Sequence, residues 1–151
     1  MKYGELIIEK KEFELLKQII SMSQHYKDKS YRVSIEKLLK EMNLAKVVAN
    51  AKMPLDVIRL NSEVTISLPG NVQRTYRLVT PELSDLKQNK ISILAPMGLA
   101  LFGYAIGDEI EWEFPKGTNN IKILDVIQHP QTLKKTASRA RQFRIIPQIS
   151  T

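Results

Sequence analysis

The chain has 151 residues, 43% of them hydrophobic, and a formal net charge of +7, which suits one compact domain or one domain with an appendage. It contains no cysteine, which excludes disulfides, thiol nucleophiles and cysteine metal sites and fits a cytoplasmic protein. The two histidines, His25 and His129, are far apart, and no apolar run approaches the roughly 18 residues of a membrane span. We therefore expect no bound metal, no cofactor and no membrane association.

The N-terminal third is predicted to form two helices. Residues from Glu9 to Tyr26 lack glycine and proline and place apolar side chains at spacings of three and four, which is typical of an amphipathic helix. Ser34 is a suitable N-cap for a second helix, which Pro54 ends at or before Met53. Two helices joined by a short polar segment usually pair as an antiparallel hairpin. This hairpin either packs on the rest of the chain or projects from it as a prong.

The segment between the two helices forms the tip of such a prong, and it carries Lys27, Asp28, Lys29 and Arg32. One carboxylate therefore stands among three cations. A catalytic magnesium ion is normally held by one or two carboxylates together with substrate phosphates, and two-metal chemistry needs paired carboxylates. We predict that the tip has no catalytic residue and no metal site.

A β domain is predicted after Pro54. Runs rich in Val, Ile and Thr alternate with turn signals such as Pro69-Gly70-Asn71, and residues 84–90 are polar enough for a loop. The expected strands are residues 64–68, 73–79, 91–94, 109–114 and 121–127. Because strand 109–114 alternates acidic and apolar side chains, we expect a half-buried antiparallel strand with its glutamates in solvent.

A short helix is predicted between residues 97 and 102. Pro96 suits the first turn of a helix, where its missing N–H is not needed, and Gly103 suits the helix end. We expect this helix to cover the open end of the sheet and to bury Leu99, Leu101 and Phe102. Alternatively, aromatic side chains line a peptide pocket in this region; these are Phe102, Trp112 and Phe114.

The last twenty-one residues form a basic tail, with five Lys or Arg residues and no Asp or Glu between residues 131 and 151. Residues 54–130 hold seven cations against nine carboxylates, so the charge of the chain is concentrated at its ends. Such a tail can contact a polyanion, either a nucleic acid or an acidic protein surface. The alternatives are a solubilising tail and a tail whose segment 143–146 packs on the β domain.

Residues 91–126, ISILAPMGLALFGYAIGDEIEWEFPKGTNNIKILDV, resemble the C-terminal domain of the bacterial GreA/GreB transcription factors. The shared pattern is a short strand, then P-x-G-x-A-L-x-G, G-D, an alternating strand, P-x-G and a final strand. The matching residues are Pro96, Gly98, Ala100, Leu101, Gly103, Gly107, Asp108, Pro115 and Gly117. Upstream, MPLDVIRLNSEVTI is more similar to the Rnk branch of the family, the regulators of nucleoside diphosphate kinase.

The resemblance implies an α+β fold: a short N-terminal antiparallel helical hairpin, or coiled coil, followed by an FKBP-like antiparallel β domain with a short helix. The expected divisions are residues 1–53, 54–130 and the tail 131–151. Members of the family dock on core RNA polymerase at the mouth of its secondary channel, and the prong enters the channel. The docking residues that the resemblance implies here are Pro96, Met97, Gly98 and Asp108.

This sequence differs from the Gre pattern in two features, and both bear on the function that we expect. The predicted first helix of about 18 residues spans only about 27 Å, and the tip lacks the paired acids with which Gre proteins hold magnesium for cleavage of backtracked RNA. We therefore expect a monomeric, non-catalytic regulator of the Rnk type that competes with other channel factors. The alternatives are a transcript-cleavage factor, an FKBP-like prolyl isomerase or chaperone, and a nucleic-acid-binding protein.

Overall fold

The computed structural model of the protein describes residues 1–22, 29–114 and 117–129, and within these ranges it leaves the side chains of residues 29–31, 113 and 114 undescribed. The described helices are α1 (Lys10–Met22), α2 (Lys29–Asn43) and α3 (Pro96–Leu101). The described strands are β1 (Ile7–Glu9), β2 (Lys46–Val48), β3 (Glu63–Leu68), β4 (Val72–Val79), β5 (Lys90–Ser92), β6 (Glu109–Phe114) and β7 (Gly117–Ile127). This mixture of helices and a sheet confirms the expected α+β class.

Strands β3 to β7 form one five-stranded sheet in the order β5-β4-β3-β7-β6. The β3–β4, β3–β7 and β6–β7 pairs are antiparallel, and the β3–β4 hairpin turns at Gly70 and Asn71, both with positive φ. The prediction of a wholly antiparallel sheet is wrong at one edge, because β5 pairs parallel with β4. A parallel neighbour needs a crossover, and residues 80–89 supply it through two short 3₁₀ turns, Pro81–Leu83 and Leu86–Gln88.

The N-terminal segment forms a second, two-stranded sheet that the sequence pattern does not predict. β1 pairs parallel with β2, with Ile7 opposite Lys46 and Glu9 opposite Val48. Glu9 is therefore a strand residue, and its carboxylate caps α1 by accepting hydrogen bonds from the backbone amides of Lys11 at 2.8 Å and Glu12 at 3.1 Å. A carboxylate at this position also interacts favourably with the helix dipole.

The second helix differs from its prediction at both ends. It begins at Lys29, so Ser34 lies inside the helix and is not its N-cap. It ends at Asn43, well before Pro54, because the chain then leaves the helix to pair with β1, and the Lys46 amide bonds to the Leu6 carbonyl at 2.8 Å. Pairing with a distant strand therefore ends the helix, and the proline does not.

Both N-terminal helices pack on the β domain through one continuous hydrophobic core. Leu16 and Ile20 of α1 and Leu38 and Met42 of α2 belong to the same buried cluster as residues of the large sheet and of α3. Burying one such side chain contributes about 1.5–3 kcal/mol, so these contacts hold the helices firmly. Of the two arrangements left open by the sequence, the described parts of α1 and α2 adopt the packed one.

The antiparallel course of the two helices, the FKBP-like classification and the divisions at residues 53 and 130 stay predictions. In the described ranges, no helix is both long and apolar enough to cross a membrane.

Candidate docking site

The corner between β5 and α3 presents an apolar surface. Ala95 is extended and caps α3 without a side-chain hydrogen bond, and its carbonyl accepts the amide of Leu99 at 2.8 Å. Pro96 takes the first helical position, as predicted, and is exposed, whereas Met97 is half-buried and packs partly on the core. The corner is held by backbone bonds and core packing, so these two side chains stand on a rigid support.

Gly98 is required by the packing of α3 against the end of β5. It is buried, and a Cβ built on it would lie 2.1 Å from the carbonyl oxygen of Ser92 and 3.0 Å from the Cα of Ile93. Both neighbours are backbone atoms, so they cannot move aside as a flexible side chain can. Of the three predicted corner residues, Gly98 therefore sets the geometry, and Pro96 and Met97 form the accessible surface.

Asp108 closes the turn between α3 and β6. Its Oδ2 accepts hydrogen bonds from the amide of Ala105 at 2.8 Å and from the amide of Lys2 at 3.1 Å. Its backbone N–H bonds to the Ala105 carbonyl, and its carbonyl accepts the amide of Ile123. This carboxylate therefore holds the turn and the N-terminal segment in place, a role that the resemblance alone does not assign to it.

A second acidic group joins the N-terminal segment to the β domain. The carboxylate of Asp56 binds Lys2 Nζ at 2.5 Å and the Tyr3 hydroxyl at 2.7 Å. Burial alone would raise the pKa of Asp56, but the hydrogen bonds from Lys2 and Tyr3 outweigh burial and hold that pKa below its ordinary value of 3.8. The same bonds raise the pKa of Lys2 and of Tyr3. No local spacing in the sequence signals this cluster, because Asp56 lies more than fifty residues from Lys2 and Tyr3.

A buried ion pair joins α1 to the start of the β domain. Arg59 donates from Nε at 2.9 Å and from Nη2 at 2.5 Å to the Oε2 atom of Glu12, and Nη2 also donates to Asn50 Oδ1 at 2.9 Å. The Glu12 side chain is fully buried and the Arg59 side chain is 10% exposed. The sequence pattern does not distinguish Glu12 from the other acidic residues of α1, so sequence reasoning missed this pair.

The acidic strand β6 behaves as predicted where its side chains are described. Glu109 and Glu111 are exposed, Ile110 is buried, and Trp112 is half-buried with Lys37 Nζ 5.4 Å from its ring centre. Phe102 is buried in the core together with Leu99 and Leu101. A peptide pocket lined by Phe102 is therefore excluded, because that ring is only 3% exposed and belongs to the core cluster.

The other predicted residues lie mostly beyond the described ranges. Lys27 and Asp28 of the tip and the basic tail fall outside them, and Lys29 is described only by its place at the start of α2. Arg32 is exposed on α2. Within residues 1–22, 29–114 and 117–129, no cluster of three His, Asp or Glu side chains could hold a metal ion.

Comparison with known proteins matches the β domain to a family described as "Transcription elongation factor, GreA/GreB, C-term", over residues 53–128. The matched segment contains the α3 corner, the Asp108 turn and the whole five-stranded sheet. The match therefore covers the part of the chain in which the predicted docking residues lie.

Individual relatives extend the similarity. A protein of Escherichia coli strain K12 named "Regulator of nucleoside diphosphate kinase" is 32% identical over 93 residues, which are 60% of this chain and 68% of that protein. A "Transcription elongation factor GreA" of Syntrophus aciditrophicus is 32% identical over 100 residues, or 66% of this chain and 62% of that protein. The solved structure of a prokaryotic GreA/GreB factor from Nitrosomonas europaea covers 82% of this chain and 98% of its own, with 31% identity and a TM-score of 0.67.

Proposed function

This chain belongs to the GreA/GreB family of transcription elongation factors, and we propose that it is a non-catalytic regulator of the Rnk type that binds core RNA polymerase. It docks through the β domain at the mouth of the secondary channel and competes there with other channel factors. We further propose that the protein is cytoplasmic and that it is a monomer when free. The single observation that carries the proposal is the apolar corner formed by Pro96 and Met97 within the matched family segment.

The corner has the properties of a docking surface. Pro96 is exposed at the start of α3, and beside it Met97 offers a polarisable, partly accessible side chain. The backbone below them is fixed, since Gly98 packs directly on Ser92 and Ile93 and Asp108 closes the following turn. A surface that is already ordered loses little conformational entropy when it binds a partner. Gly98 supports this surface from below, and Asp108 fixes the turn that follows α3.

The absence of catalysis is proposed from the charges of the predicted tip. Asp28 is flanked by Lys27 and Lys29, with Arg32 following, so a bound magnesium ion would meet one carboxylate among three cations. A cationic tip can instead contact a polyanion such as nucleic acid. We also propose that the basic tail contacts nucleic acid in the polymerase complex, which makes that contact sensitive to salt.

The docking surface is tested by adding a negative charge to it. We expect Met97→Glu and Pro96→Glu each to weaken binding to core RNA polymerase by at least about tenfold, which corresponds to roughly 1.4 kcal/mol. Pro96→Glu is the cleaner variant, because Pro96 is exposed and a glutamate is tolerated in the first turn of a helix. Binding is measured by co-migration and by titration with a labelled protein.

Gln73→Glu is the matched control, because it makes the same change of charge at an exposed position on β4. It should bind like the parent protein. If the two corner variants keep the native circular dichroism spectrum and also bind like the parent, the docking site lies elsewhere. An isomerase of the FKBP type is the second candidate, and turnover of a proline-containing peptide by the purified protein would favour it.

A further inference from the structure

A chain of polar contacts runs from α1 through the β domain to the end of β7. Glu12 accepts two hydrogen bonds from Arg59, whose own backbone amide donates to Ser62 Oγ at 2.8 Å. That hydroxyl donates to Gln128 Oε1 at 2.7 Å, and Gln128 Nε2 donates to the Val57 carbonyl at 2.6 Å. We call these residues, together with Asn50 on the Arg59 guanidinium, the Glu12–Arg59 network. It joins the first helix to both ends of the β domain.

The ion pair in this network is poorly suited to adding stability. Burial raises the pKa of the Glu12 carboxyl, although the hydrogen bonds and charge of Arg59 and a backbone hydrogen bond from Leu60 oppose that rise. Both Arg59 donors go to Oε2, and the buried Oε1 atom has no hydrogen-bond partner. Removing two charges from water costs free energy that an incompletely bonded pair does not recover, so apolar residues of similar size often serve stability equally well.

The ion pair does add a directional constraint on α1 to the non-directional burial of its apolar side chains. Leu16 and Ile20 hold α1 on the core by burial, and the hydrophobic effect that drives this burial is non-directional. A guanidinium that donates from Nε and Nη2 to one carboxylate oxygen, with Nη2 also held by Asn50, permits only a narrow range of positions. The backbone of Arg59 is in turn fixed by Ser62.

We propose that the Glu12–Arg59 ion pair sets the orientation of α1 on the β domain and contributes little to net stability. Both residues are positioning residues, since they act on the direction of a helix. The proposal rests on contacts within this chain and does not depend on polymerase binding. Its functional consequence is that the direction of α1 relative to the Pro96 corner is fixed before any partner is met.

The orientation can be measured with two spin labels, because the chain has no cysteine of its own. Gln18→Cys on α1 and Gln73→Cys on β4 are both exposed positions, and the distance between the labels reports how α1 lies on the sheet. The test variants are Arg59→Met, which leaves Glu12 unpaired, and the double variant Glu12→Leu with Arg59→Met, which replaces the pair by apolar side chains. Glu14→Gln, at an exposed position on the same helix, is the matched control.

We expect Arg59→Met alone to lower the melting temperature by about 10 °C, because it leaves a buried carboxylate without its partner. The double variant should melt within a few degrees of the parent, yet its label distances should shift or broaden, whereas Glu14→Gln should change neither property. A double variant with the parent's distance distribution would overturn the proposal, because orientation would then not depend on the pair. A double variant that fails to fold, or melts as low as Arg59→Met, would also overturn it, because the pair would then be needed for stability.

Discussion

The α3 corner and the N-terminal segment are specified by the sequence in different ways. At the corner, residues 90–108, each conformational choice is made by nearby residues: Pro96 begins the helix, Gly98 permits its close approach to β5, and Gly103 ends it. In the N-terminal segment, residues 1–22 and 29–48, the decisive contacts come from far along the chain, as in the pairs Lys2–Asp56 and Glu12–Arg59. The corner is therefore specified by local sequence, whereas the N-terminal segment is specified by contacts with residues far along the chain.

Among substitutions at the glycines of the corner, the largest effect on stability is expected from Gly98→Ala. Helix propensity alone would favour alanine by about 1 kcal/mol, but the new Cβ would lie 2.1 Å from the Ser92 carbonyl oxygen. We expect this overpacking to dominate and to lower the free energy of unfolding by about 3 kcal/mol, measured by urea titration. Gly70→Ala is the comparison, because Gly70 has open space around it and only its φ of 83° opposes the change. If Gly98→Ala costs no more than Gly70→Ala, the corner is not held by this contact.

A smaller loss of stability is expected from a substitution at Gly103, where the α3 corner meets the N-terminal segment. Its φ is 85°, and an added Cβ would lie 2.3 Å from Leu6 Cδ1, the end of a flexible side chain. We expect Gly103→Ala to cost about 2 kcal/mol, of which about 1 kcal/mol is backbone strain. Gly107→Ala, with a φ of 91° and open space, measures the strain alone.

The contact with Leu6 is isolated by repeating the Gly103 measurement in a Leu6→Ala background. There, Gly103→Ala should cost no more than Gly107→Ala, because the clashing methyl group is gone. If Gly103→Ala costs the same free energy of unfolding in the Leu6→Ala background, steric contact with Leu6 does not contribute to that cost.

The smallest effect on the free energy of unfolding is expected from Asp56→Asn, and this effect should depend on pH. Because the folded-state pKa of Asp56 lies below 3.8, its contribution to stability is present above pH 3.8 and is lost as the pH falls through the folded value. The difference in unfolding free energy between parent and variant should therefore shrink on acidification. Lys2→Met removes one of the side chains that donate to the Asp56 carboxylate, and it should reduce the same dependence of stability on pH. A difference that stays constant down to pH 2 would contradict the role given to this cluster.

Most of the β domain could be predicted from the sequence because its signals are local. Turn residues delimit β3 and β4, proline and glycine delimit α3, and strict alternation identifies β6 as a strand. The parallel pairing of β5 with β4 could not be predicted, since a three-residue strand has no periodicity that reveals its direction. β1 and β2 were missed for a similar reason: they are three residues each, and their pairing joins positions almost forty residues apart.

The candidate site was predicted in part. Local pattern and resemblance together led to Pro96, Met97 and Gly98, and the structure separates their roles by exposure and by the space at Gly98. The structural task of Asp108 could not be predicted, because its carboxylate binds the amide of Lys2 over a hundred residues away. Glu12 was hidden for the same reason, since only the folded chain brings Arg59 to it.

The central claim, polymerase binding without catalysis, is tested most directly on backtracked RNA polymerase. The measurement is the rate of transcript shortening with this protein alone, with a GreA-type cleavage factor alone, and with the cleavage factor in the presence of increasing amounts of this protein. With this protein alone, we expect no shortening above the polymerase's own background. We also expect a dose-dependent loss of GreA-stimulated cleavage, and the Pro96→Glu variant should not cause this loss. Shortened transcripts produced by this protein alone, or GreA-stimulated cleavage that is unaffected by a saturating excess of it, would contradict the account.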